Sequence, residues 1–255
     1  MKKLFLVLFV LVSTYTSTAQ DLDSNFNHFY SYNFDYKLNK KIKFYAGELF
    51  SFNSDTYTLR YTQLKIGARY RFSNRAFSTE LYYKPLLFKG NTKDIWYHKL
   101  AGSVTHRSKV FSLPLKNSLT AEWFFPQLKK YQYRFIYAIK LSFKNDFLPL
   151  RATPYLKYQL YYYLSGEPLN YFDESGKIVA TNAPNDFHRY RIGAGIRFRP
   201  VKNFHVTIYY IWQEEFNTTF TNNRQLNILN ENQTAIKDPF NDYQVLGLSL
   251  TYSLK

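Results

Sequence analysis

The chain has 255 residues, a formal charge of +16, no cysteine, and 20% aromatic residues beside a mean hydropathy of −0.40. Without cysteine there is no disulfide framework, no thiol chemistry and no lipid-modified N-terminal cysteine. The 25 tyrosines and 24 phenylalanines are too many rings for one soluble core of this polarity, yet no segment past the N-terminus could span a membrane as a helix.

In chain order, Met1-Lys2-Lys3 is a positive n-region, Leu4 to Val12 an apolar h-region, and Ser17-Thr18-Ala19 a cleavage site before Gln20. This reads as a secretory signal peptide over residues 1–19, too short for a spanning helix. Loss of Lys2 and Lys3 takes the charge only from +16 to +14, so the exported chain stays basic. Export argues against nucleic acid as the partner and leaves anionic lipid or acidic solutes.

Past residue 20 the pattern has period two. In 26–38, His28, Tyr30, Tyr32, Phe34, Tyr36 and Leu38 oppose Asn27, Ser31, Asn33, Asp35 and Lys37. In 42–52 the alternation is weaker, and Glu48 falls on the apolar face. In 63–72, Leu64, Ile66, Ala68, Tyr70 and Phe72 oppose Gln63, Lys65, Gly67, Arg69 and Arg71. Weaker segments follow at 76–88, 94–107 and 111–124. In 131–144 seven apolar residues from Tyr131 to Phe143 oppose Gln132, Arg134, Lys140, Ser142 and Lys144. In 151–164, Leu156, Tyr158, Leu160, Tyr162 and Leu164 oppose Arg151, Thr153, Lys157 and Gln159. The clearest case is 187–200, where Tyr190, Ile192, Ala194, Ile196 and Phe198 oppose Arg189, Arg191, Gly193, Gly195, Arg197 and Arg199. Segment 203–216 alternates more weakly, and 246–254 sets Leu246, Leu248, Leu250, Tyr252 and Leu254 against Gly247, Ser249, Thr251 and Ser253.

Such alternation marks half-buried strands. Eleven segments carry it, many of about 11–14 residues, the length of membrane strands rather than of strands in a soluble sandwich. The expectation is an all-β, up-and-down antiparallel transmembrane barrel over residues 20–255. Because bacterial barrels usually have an even strand number, twelve strands are expected, ten next, with the twelfth near 21–30. Short connections at 39–41, 73–75, 107–109, 144–146 and 200–203 alternate with longer ones near 53–56, 88–94, 125–130, 165–186 and 217–240. Short periplasmic turns and long outer loops are the rule for outer-membrane barrels. The C-terminus then lies in the periplasm and the first strand starts outside.

Three stretches carry a family resemblance: Leu38-Asn39-Lys40-Lys41-Ile42; His188 to Ile196 with Pro200-Val201-Lys202-Asn203; and Asp242 to Leu250. Over roughly residues 24–255 the chain resembles DUF2490, a family of Bacteroidetes outer-membrane barrels of unknown function. The resemblance implies a Gram-negative outer membrane and its barrel assembly machinery as context, and transfers no catalytic residue. Lys255 departs from the terminal aromatic of many such barrels.

If the rings face lipid, the lumen receives a basic wall of Lys130, Arg134, Lys140, Arg151, Lys157, Arg189, Arg191, Arg197 and Arg199, with Asp35, Glu80, Glu122 and Glu215 as inward acids. Rings of Arg and Lys select anions, so the wall predicts a porin-like narrow pore or a barrel that binds an anionic small solute. Reflecting strand 187–199 through the Pro200–Asn203 turn places His188 opposite Glu214 at the outer rim. That pair could serve a lipid-modifying hydrolase, but Tyr190 stands where such enzymes carry serine, and Ser165 is a poor substitute. An aromatic girdle with Tyr162 and Trp212 accounts for the same residues. A third expectation is a structural or adhesive barrel acting through loops 165–186 and 217–240. His28, His98, His106, His188 and His205 show no ligand spacing, so neither metal nor cofactor is expected, and Gly193-Ala194-Gly195 is a strand segment rather than a phosphate loop.

Overall fold

The computed structural model describes residues 26–90, 93–143, 149–217, 224–232 and 234–254. The signal-peptide segment, Lys255 and the 144–146 turn lie outside them. Eleven strands close into one barrel. In chain order they are β1 (Phe26–Lys37), β2 (Ile42–Asn53), β3 (Leu59–Arg71), β4 (Phe77–Phe88), β5 (Ile95–Val110), β6 (Leu113–Leu128), β7 (Tyr131–Ser142), β8 (Thr153–Leu164), β11 (Phe187–Val201), β12 (Phe204–Glu215) and β13 (Tyr243–Leu254). Between β8 and β11, β9 (Leu169–Phe172) and β10 (Ile178–Asn182) form a separate hairpin.

Sequence neighbours pair antiparallel throughout, and β1 closes on β13 in parallel, from Phe26 against Gln244 to Tyr36 against Leu254. This corrects the expected twelve strands, and the ten held next. An up-and-down chain of odd strand number begins and ends in the same direction, so its seam must be parallel. The eleven alternating segments are the eleven barrel strands, and the seam uses Phe26–Lys37 itself. One connection expected to be long is short: β6 runs on to Leu128, and only Lys129 and Lys130 join it to β7.

The pleat gives the wall two faces. The outer one is apolar on every strand, with Phe34, Ile66, Leu81, Val104 and Leu119 among its most exposed side chains. Aromatic residues gather at its two ends. Toward the turns stand Phe34, Tyr70, Phe77 and Tyr252; toward the loops stand Tyr30, Trp96, Trp123 and Trp212. Aliphatic residues such as Leu100, Ile192 and Ile208 fill the band between them. Glu48 is on this outer face, where it accepts a bond from Thr62 at 3.1 Å.

Rings also line the inside. Tyr82, Tyr155 and Tyr209 point inward, each directly opposite a glycine: Gly67, Gly195 and Gly247 respectively. A Cβ on Gly247 would come within 2.0–2.5 Å of the Tyr209 ring, and one on Gly195 within 2.7 Å of the Tyr155 hydroxyl. These glycines let a tyrosine lie flat across the neighbouring strand instead of standing into the lumen. Gly193 differs, since nothing lies within 3.4 Å of its Cβ position. We expect Gly247→Val to destabilise the barrel by about 1–3 kcal/mol through overpacking, and Tyr209→Ala in the same chain to restore most of the loss. Urea titration of the wild type and the two variants checks this; an equal loss with and without the tyrosine would refute the packing.

Candidate ligand-binding lumen

The inward faces enclose a cavity of about 830 Å³ lined from nearly every strand. Of the four acids expected to face inward, Glu80 and Glu122 line this cavity and Asp35 and Glu215 lie beyond it, and each is bound to a cation. Asp35 pairs with Lys43 at 2.9 Å, and Glu80 with Arg69. Glu122 takes Lys99 at 2.8 Å and the Nε and Nη2 of Arg134 at 2.8 and 2.5 Å. Glu215 takes Lys130 at 2.6 Å, Arg189, the Tyr163 hydroxyl at 2.9 Å and the Asn241 amide at 2.8 Å.

The predicted basic wall therefore divides into three parts. Arg134 and Arg189 are buried in carboxylate clusters near the loop end. Arg151, Arg197 and Arg199 sit at the turn end: Arg151 is in a short 3-10 turn rather than on β8, and Arg199 donates to the Lys202 carbonyl at 2.8 Å. Lys140, Lys157 and Arg191 face the cavity. Arg191 donates to Gln213 at 2.7 Å and to the Tyr243 hydroxyl at 2.6 Å.

Sequence alternation left out Lys84, Lys99 and Lys116, which also line the cavity. Their strands read weakly because the inward face of β4 to β6 also carries Tyr82, Leu86, Ala101 and Phe124. Strand parity counted from Glu80 and Glu122 would have found Lys84 and Lys116, whereas Lys99 stands on β5, which carries no acid to count from. Lys65 lies between the Tyr45 and Tyr82 rings at 4.4 and 4.3 Å, and Lys140 lies 3.3 Å from the Tyr155 ring centre. Among the described residues, Arg60, Lys65, Lys84, Lys116, Lys140, Lys157 and Arg191 line this cavity with no carboxylate in ion-pair range, Arg60 donating instead to Asn27 at 2.7 Å.

The loop end is covered. Leu226, from the long β12–β13 connection, is fully buried against the inward-pointing Phe124, Tyr131, Ile136, Tyr161 and Tyr163. Phe240 packs on the same cluster, and Lys130 holds the Pro239 carbonyl at 2.8 Å. The β9–β10 hairpin packs Leu169 and Tyr171 on Ile228 of that connection, with the Tyr171 hydroxyl donating to the Gln225 carbonyl at 3.0 Å. Burial there pushes the Tyr171 phenol up to about 12. Asp242 is raised by burial although it accepts the Glu215 amide, while the Ser175 hydroxyl and the Lys177 amide hold the exposed Asp173 low.

The His188–Glu214 arrangement is not formed. The register sets Tyr190 opposite Glu214, and the Tyr190 hydroxyl donates to that carboxylate. On the other side, Phe187 pairs with Tyr162 and Arg189 with Tyr161. His188 is thus the extra residue of a bulge, which turns its ring off the outer face. It is fully buried near Tyr163, with Nδ1 3.1 Å from the Phe216 carbonyl and Nε2 unpartnered. No group of three or more metal-ligating side chains occurs among the described residues. Neither a protein-family model nor a curated protein sequence matches the chain.

Removing one partner of a buried ion pair leaves an uncompensated charge and costs about 3–5 kcal/mol. Glu215→Gln leaves Arg189 and Lys130 in that state and should lower stability by that order. Asp35→Asn, in a half-exposed pair, should cost under about 1 kcal/mol. Urea midpoints rank the two; equal losses would show that Glu215 does not anchor the loop end.

Proposed function

We propose that the protein is an outer-membrane barrel, reached through a cleaved signal peptide and the barrel assembly machinery, whose lumen accepts an anionic small solute. The observation that carries this is the opposite chemistry of the two faces of the same strands. Outside is an apolar band between two aromatic rims, the surface that lipid requires. Inside, among the described residues, are seven cavity-lining cations without a carboxylate partner. DUF2490 is the family we propose for it, on the strand residues quoted above. Charges of one sign lining a lumen select ions of the other. The aromatic cap at the loop end favours a ligand-binding barrel or gated pore over an open channel. Lipid hydrolysis at the rim has no His–Glu pair to support it.

If the outer band meets lipid, Ile196→Arg should impair assembly far more than Arg191→Ala, because an Arg near the midplane costs roughly 2–4 kcal/mol. The fraction of heat-modifiable, β-rich protein in the outer-membrane fraction measures this; equal assembly would reverse the faces. Conduction tests the lumen. In planar bilayers under a chloride gradient, the reversal potential should move toward the anion value. Leu226→Asp, which removes the apolar anchor of the cap, should raise conductance with the same sign of selectivity. Cation preference in either protein would overturn the reading.

A further inference from the structure

Three lysines on neighbouring strands stand side by side in the cavity wall. Lys116 on β6 is directly opposite Lys140 on β7, and Lys140 is opposite Lys157 on β8. Arg107 on β5 faces Lys116 and extends the row. Opposed residues on one face of a sheet have Cβ atoms about 4.5–5.5 Å apart, where like charges repel. Among the described residues no carboxylate is in ion-pair range of the row, and the acid that acts on Lys116 and Arg107 from farther off is Glu80. The charged groups acting on Lys157 include Arg191, Lys140, Lys116 and Lys84, all cations. The Glu80 carboxylate already holds Arg69. Arg107 Nη1 is buried without a hydrogen-bond partner. Four cations in register, one with an idle donor, are missing a countercharge.

The kind of donor narrows what that countercharge is. A planar carboxylate is gripped best by the two parallel donors of a guanidinium. Here the forks of Arg134, Arg189 and Arg69 are held by Glu122, Glu215 and Glu80, and that of Arg191 by Gln213 and Tyr243. What remains in the row is chiefly ammonium, a compact point charge with three donors that binds phosphate-class oxyanions without the bidentate fork. We propose that the Lys116–Lys140–Lys157 row, with Arg107 at its end, binds an oxyanion of the phosphate class, free or as the monoester of a small molecule. This rests on the anion-accepting lumen proposed above and narrows it. The cavity of about 830 Å³ has room for the body of an ester, and Tyr155 and Tyr209 offer ring faces beside the row.

Isothermal titration of the folded, detergent-extracted protein with inorganic phosphate, glucose 6-phosphate, sulfate and succinate tests this, with heat-modifiability as the check on folding. Phosphate or its ester should bind, sulfate should compete, and succinate should bind at least tenfold more weakly. Lys140→Gln with Lys157→Gln should weaken phosphate binding at least tenfold while relieving repulsion, so these chains should fold. Lys202→Gln, at a turn outside the cavity, should bind as the wild type does. Tighter binding of the ester than of phosphate would identify the organic source; the reverse order would identify the free ion. If succinate binds as tightly as phosphate and depends on the same lysines, the lumen accepts anions but the phosphate assignment fails. If no anion binds in a lysine-dependent way, both readings fail.

Discussion

Everything in this barrel depends on a closed sheet one residue thick. Successive side chains on a strand point to opposite faces, so each residue is committed to the outside or the inside with no layer between. A soluble domain hides its rings in a core and its charges on a surface. Here the same strands must carry both. The outer face takes aliphatic residues at mid-height and aromatic ones at both rims; the inner face takes the charge. Closure also removes free edges, so every barrel strand has two neighbours without help from disulfides or a metal.

Inside that wall the electrostatics are uneven by construction. The four inward acids stand on β1, β4, β6 and β12. Strands β7, β8, β11 and β13 carry none facing inward. Glu122 and Glu215 gather their cations toward the loop end, where the long connection seals against Tyr131 and Tyr163. Charge neutralisation and aromatic burial thus occur at the same place, and two of the four inward carboxylates are spent there. The row from Arg107 to Lys157 lies away from those carboxylates. A stability argument alone predicts acids or neutral residues at such positions, because opposed like charges cost energy. Their presence is the basis of the anion preference we propose for the lumen.

The sequence made the wall legible and its seams illegible. All eleven barrel strands are visible as alternation, because the pleat imposes period two wherever one face is apolar. The strand number was misjudged because pairing of first and last strands leaves no local mark: Phe26–Lys37 reads the same against a parallel or an antiparallel neighbour. Glu48 blurred β2 yet keeps its outward parity. Lys116 was missed, although Lys140 and Lys157 beside it were read, because β6 breaks the pattern on both faces, with Phe124 inside and Asn117 outside. Which arginines are neutralised could not be read either. Arg134 with Glu122 and Arg189 with Glu215 are cross-strand partners, fixed by register rather than by spacing along the chain.

The fate of His188 shows how sharply function in such a wall turns on one residue of register. Reflection through a turn assumes unbroken alternation, and on that assumption His188 and Glu214 share the outer rim. One extra residue on β11, between Phe187 and Arg189, moves the histidine off that face while leaving Arg189 and all that follow in phase. A bulge is a common device at barrel rims for redirecting a side chain. The β11–β12 register already gives Glu214 to Tyr190, two residues from where reflection through the turn set it, and the bulge makes His188 a buried imidazole beneath the loop connection, bonded to the Phe216 carbonyl where that connection begins. Register therefore decides that Tyr190 and not His188 meets Glu214, and the bulge decides that His188 ties down the start of the cap instead of standing at the rim.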